Sequence, residues 1–167
     1  MIARLRKLLP LAGTVWLSMA AAWAQDVEPT IEDRTRFQGC IADTLETEAS
    51  AEKCRDVVSR PCMDEPQSQS TYGMNACMVR EMKLWDEMLN DEYGRLRRGL
   101  APARAEDLKQ VQRAWIAYKD VKCLLVRQAI EGTIASTIAG GCMLETIARR
   151  AIELQELRKW AGIGVTR

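Results

Sequence analysis

The sequence predicts an all-α fold: a disulfide-stabilised bundle of three long helices preceded by short N-terminal helices. Three observations lead there. Large apolar residues recur in steps of three and four over long stretches, the period of one helix face. The adjacent Val57 and Val58 alone do not make a strand. Six cysteines, at 40, 54, 62, 77, 123 and 142, form an even set in a chain with no histidine.

The first residues carry Arg4, Arg6 and Lys7, then an apolar run from Leu8 to Ala22, then Ala22, Trp23 and Ala24. This is the pattern of a cleaved secretory signal over 1–24. The run is shorter than the roughly 20 residues of a membrane span. A periplasmic or secreted protein beginning near Gln25, with no membrane span in its mature part, is the expectation, and a retained anchor is the competing reading. The nearest cysteine is Cys40, too distant for a lipid anchor at the cleavage point. Losing three of 24 basic residues against 23 acidic ones leaves a net charge near −2. That balance has no nucleic-acid footprint, and the remaining length is that of one domain.

Residues 25–60 read as a helical extension with two short helices, about 31–47 and 51–59, followed by the loop "PCMDEPQSQST". The helical domain proper runs over 60–160. Its first long helix follows "GMNACMVREMKLWDEMLNDEYGRL", with Met74, Met78, Met82, Trp85, Leu89, Tyr93, Leu96 and Leu100 on one face. Arg80, Glu81, Lys83, Asp86, Glu87, Asp91, Glu92, Arg95 and Arg97 fill the other side as a solvated face. Gly99 and Pro102 mark a turn. The second helix, about 103–130, carries Leu108, Val111, Trp115, Tyr118, Leu125, Ala129 and Ile130 as its stripe, and Gly132 closes it. A loop ending in Gly140 and Gly141 leads to a third helix, about 142–160, striped by Leu144, Ile147, Ala151, Leu154 and Leu157.

The cysteines read as three disulfides, because an exported chain meets an oxidising compartment. Metal is disfavoured: no pair is spaced C-x-x-C, and no imidazole is present for the usual zinc sites or to activate a thiol. Cys77 and Cys123 are equally far in sequence from the turn near residue 100. On adjacent antiparallel helices they fall at one height, which favours Cys77 with Cys123, Cys62 with Cys142, and Cys40 with Cys54, among the many connectivities six cysteines allow.

Taken in order, Cys62, "MNAC" ending at Cys77, Trp85, "LNDEY" at 89–93, "LKQVQRAWIAYKDVKC" at 108–123 and "CMLETIARRAIEL" at 142–154 make an ordered set. This set resembles the LprI-like lysozyme inhibitor domain, a family of small exported bacterial proteins, over about residues 60–157. By position the family pattern falls on Cys77, Leu89, Asn90, Tyr93, Leu108, Gln112, Trp115, Asp120, Cys123, Cys142, Arg150 and Leu154. A departure lies at Ile147, where the family places a threonine and this chain has Thr146 one residue early.

The resemblance implies a protein that is not an enzyme and that binds lysozyme or another peptidoglycan hydrolase, without a cofactor. Lysozyme works with two carboxylates in a cleft, so an inhibitor must fill the cleft and offer them a donor or a cation. Two segments are candidates: "EPQSQST" at 65–71, with Gln67, Ser68 and Thr71, and "EGTIASTIAGG" at 131–141, with Thr133, Ser136 and Thr137. Neither contains lysine or arginine. The alternative is an envelope module that binds another periplasmic protein or peptidoglycan. The carboxylates of the first long helix read as surface charges, not catalysts. Asn90, Gln112, Asp120 and Arg150, beside the core stripe, read as a polar network within the bundle.

Overall fold

The computed structural model describes residues 27–164; residues 1–26, which include the expected signal and its cleavage point, and 165–167 lie outside that span. Among the described residues the chain forms five α-helices and no strand: α1 (Ile31–Glu46), α2 (Ser59–Met63), α3 (Thr71–Gly99), α4 (Pro102–Gln128) and α5 (Ile134–Trp160). Short 3₁₀ turns occupy Ala51–Cys54 and Pro66–Ser68. The expected helix over 51–59 is thus broken in two, and the expected loop before α3 is partly helical.

Local sequence explains the boundaries. Thr30 and Asp33 form a capping box at α1: the Thr30 hydroxyl accepts from the Asp33 amide, and the Asp33 carboxylate accepts from the Thr30 amide. Ser70 caps α3 by accepting from the Gly73 amide at 3.0 Å. Gly73 lies against the preceding turn so closely that a Cβ there would stand 2.6 Å from the Ser68 Cα. Pro102 occupies the first turn of α4, where its missing N–H leaves no bond unmade. Gly132, with φ of 80°, permits the tight turn into α5.

The core is built on α3 and α5, which run parallel: Asn75 meets Ser136, Gly140 faces Met78, and Glu92 pairs with Arg158. Trp85, Leu96, Ala148, Ala151 and Leu154 are completely buried between them. Small alanines on α5 let the large α3 side chains seat against it, and Phe37 of α1 closes edge-on over Trp85 at 4.8 Å between centroids. α4 packs antiparallel on the other side of α5 and touches α3 little. α5 is therefore covered on two sides, and its buried residues form no single stripe.

This arrangement corrects three expectations. Cys40 is bonded to Cys54, but Cys62 pairs with Cys77 and Cys123 with Cys142, instead of Cys77 with Cys123 and Cys62 with Cys142. The expected pairing took α3 and α4 as close neighbours along their length; α3 packs on α5 instead. Second, α5 begins at Ile134, so most of the expected 131–141 loop is its first two turns, and Gly140 serves close packing on Met78. Third, Val111, Tyr118 and Leu125, read as part of the α4 core stripe, face solvent, whereas Leu108 is buried and Trp115 is half-buried against the core.

Candidate functional site

Buried charges are where chemistry or architecture concentrates, and in this chain each has identifiable partners. Glu81, read from sequence as surface charge, is completely buried. One carboxylate oxygen accepts from the Asp56 amide at 2.7 Å and the Trp85 indole at 3.0 Å. The other accepts from the Val58 and Ser59 amides at 3.0 and 2.7 Å. Four N–H donors and the N-terminus of α2 thus hold this anion without a cation. Glu92, also read as surface, is buried against Arg158, whose third nitrogen donates to the Ile163 carbonyl.

Asp33 accepts from Arg80, which also donates to the Cys62 sulfur at 3.3 Å. Burial pushes the Asp33 carboxyl up, but the Thr30 amide and the Arg80 guanidinium outweigh it and hold the group below its ordinary value. Both oxygens of Glu81 and of Glu92, and Oδ2 of Asp33, are engaged by structural partners. No group of three or more potential metal ligands exists among the described residues.

The two candidate loop segments come together at one end of the bundle, where the starts of α3 and α5 lie side by side. Asn75 donates to the Ser136 hydroxyl at 3.2 Å across that junction. Gln67 is exposed and donates to Glu65, Ser68 is buried under Gly73, and Thr71 opens α3. Thr133 precedes α5 and accepts at its carbonyl from Ser136; the Thr137 hydroxyl is buried without a partner. These residues are mostly helix starts, not a projecting loop.

The positions of the family pattern gather elsewhere. Leu89 is core. Arg150, buried on α5, donates through Nε to the Gln112 side-chain carbonyl at 3.0 Å and through Nη1 to Glu153 at 2.8 Å, with its guanidinium 5.9 Å from the Trp115 ring centroid. Asp120 stays outside this group, exposed and paired with Lys119 at 2.7 Å. Gln112, its carbonyl held from behind, forms one wall of a cleft of about 340 Å³ between α3 and α4. Asn90, Tyr93, Arg97, Lys109 and Arg113 line the same cleft. No carboxylate lines it, and among the described residues neither Arg97 nor Arg113 has an acidic partner. Arg97 donates to the Tyr93 hydroxyl at 3.3 Å and lies over that ring.

Sequence reading missed this cationic cleft. Its signal was the pair Lys109 and Arg113, four residues apart on the side of α4 that also carries Gln112. A larger groove of about 620 Å³ between α1, α3 and α5 contrasts with it: Glu87, Asp91 and Glu92 line that groove, but Arg34, Arg95 and Arg158 neutralise them.

A protein of Rhizobium meliloti (strain 1021), itself uncharacterized, is 29% identical over 119 residues, covering 61% of this chain and 84% of the relative. No solved structure matches. The family model described as "Lysozyme inhibitor LprI" matches residues 62–154, from Cys62 of α2 to Leu154 in the core face of α5. The chain therefore belongs to the lysozyme inhibitor LprI family.

Proposed function

We propose that this chain is an exported inhibitor of lysozyme or a related peptidoglycan-cleaving hydrolase. The supporting observation is the family match across α2 to α5. In this reading residues 1–24 are a signal peptide and 25–60 an extension that braces the 60–160 domain. The contact surface is the cleft between α3 and α4. A glycosidase with two carboxylates in its active cleft presents negative charge to an inhibitor, and Arg97 and Arg113 supply the cations that both loop segments lack, while Lys109 beside them is paired with Glu106 at 3.1 Å. Guanidinium groups bind carboxylates through paired N–H donors, so Arg97 and Arg113 are better suited to this than a lysine. The disulfides and the Arg150–Gln112 bond hold the cleft walls before binding, which reduces the ordering cost.

The test is lysis of peptidoglycan by a c-type lysozyme with rising amounts of the oxidised protein, alongside Arg97→Glu and Arg113→Glu variants. Saturable inhibition by the parent, weakened about tenfold or more by each variant, is the expected result. No inhibition at many-fold molar excess would reject lysozyme as target. Full inhibition by both variants would reject the cleft as its contact surface.

A further inference from the structure

α4 has two apolar rows, and only one is used. Leu108, Gln112, Trp115 and Cys123 face α5. The second row, about a third of a turn away around the helix, consists of Val111, Ala114, Tyr118, Val121 and Leu125, all exposed. Val111, Tyr118, Val121 and Leu125 are 52, 58, 67 and 64% accessible. The steps are three, four, three and four, the strict spacing of a coiled-coil seam, and no charged residue interrupts them. Ala117 and Leu124 flank the row on one side and are exposed as well.

We propose that this face of α4 is a dimerisation surface that takes the same face of a second copy in antiparallel pairing. The order of sizes along the row selects this occupant. A two-fold axis between residues 119 and 120 sets Ala114 against Leu125 of the other copy and Tyr118 against Val121. Each small side chain then faces a large one, and each contact is repeated by symmetry, as an isologous interface requires. At on the order of 100 Å² left open by each of the five large side chains, the row and Leu124 together expose roughly 500 Å², somewhat below the roughly 800 Å² per partner of a standard interface. A reversible, moderate-affinity dimer follows. The cationic cleft lies on the other flank of α4, toward Lys109 and Arg113, and stays open in the pair.

Sedimentation equilibrium on the oxidised protein, up to about 500 µM, tests this. The parent is expected to show a reversible monomer–dimer equilibrium. Val121→Glu and Leu125→Glu, each placing a carboxylate in the apolar seam, should raise the dissociation constant at least about a hundredfold. Because both positions are exposed, helical circular dichroism and Tm, taken at dilution where the parent is monomeric, should be unchanged; Tyr118→Ser serves as a third variant if either fails to fold. Arg127→Ala, outside the row, should leave the equilibrium unchanged. A parent that stays monomeric at the highest concentration, or a dimer that survives both glutamate substitutions, would overturn the proposal.

Discussion

Replacing Glu81 with glutamine changes one oxygen to an amide nitrogen of nearly the same size, so packing around Trp85 is kept while hydrogen bonding is not. The carboxylate accepts four N–H groups, two on each oxygen. In Glu81→Gln one pair of donors meets another donor, and the remaining pair loses its charged acceptor. A hydrogen bond to a charged group contributes about 1.5 to 3 kcal/mol and an unsatisfied buried donor costs about 1 to 3 kcal/mol. Two lost bonds, partly relieved by relaxation, give about 3 to 5 kcal/mol, a large part of a single domain's stability. Urea unfolding of the oxidised protein, followed by tryptophan fluorescence and circular dichroism, measures this. A loss under about 1 kcal/mol with an unchanged slope would refute the view that this anion holds α2 onto α3. An intermediate in which α2 and the Cys62–Cys77 loop come free while α3 and α5 stay paired would fit it, since all three backbone donors lie at the entrance to α2.

Two further outcomes follow from the same buried polar groups and close contacts. The Asp33 carboxyl is held below its ordinary value, so its contribution is present above its unfolded pKa of about 3.9 and is lost as pH falls through the lower folded value. Thermal melts from neutral to strongly acidic pH should show Asp33→Asn destabilised at neutral pH, with a shallower acid limb than the parent; parallel limbs would count against the Arg80 pairing. Gly73→Ala puts a methyl group into the Ser68 backbone, and calorimetry should show a loss of about 1 to 3 kcal/mol despite alanine's better helix propensity.

The sequence carried the helical class well because α3 buries one face only: Trp85, Leu89 and Leu96 fall on its predicted stripe and are in the core. It carried helix order poorly in space. α5 is apolar toward both α3 and α4, which erases the single-stripe signal and hid its first two turns behind Thr133, Ser136 and two glycines. On α4 two apolar rows merge into one apparent stripe when only spacing is read, so Leu108 and Val111 look alike although one is buried and the other exposed. Glu81 and Glu92 sit among surface charges in sequence, and nothing local distinguishes them. Their burial is imposed by segments that precede or follow α3 at long range. The cationic cleft was hidden for the same reason, since Arg97 and Arg113 become neighbours only when the turn at residues 100–101 brings α3 and α4 together.

The order of the disulfides governs how this protein is made. Each bond joins a cysteine to the next one along the chain, at separations of 14, 15 and 19 residues. Oxidation that proceeds from the first cysteine to the last therefore produces the native set directly, with no wrong pair to reshuffle. The α3–α5 core has the opposite dependence: α3 emerges long before its partner helix exists and must hold an unburied apolar face until the last quarter of the chain arrives. Early covalent closure beside a late-arriving core makes that interval, and not disulfide isomerisation, the stage at which a holding chaperone matters.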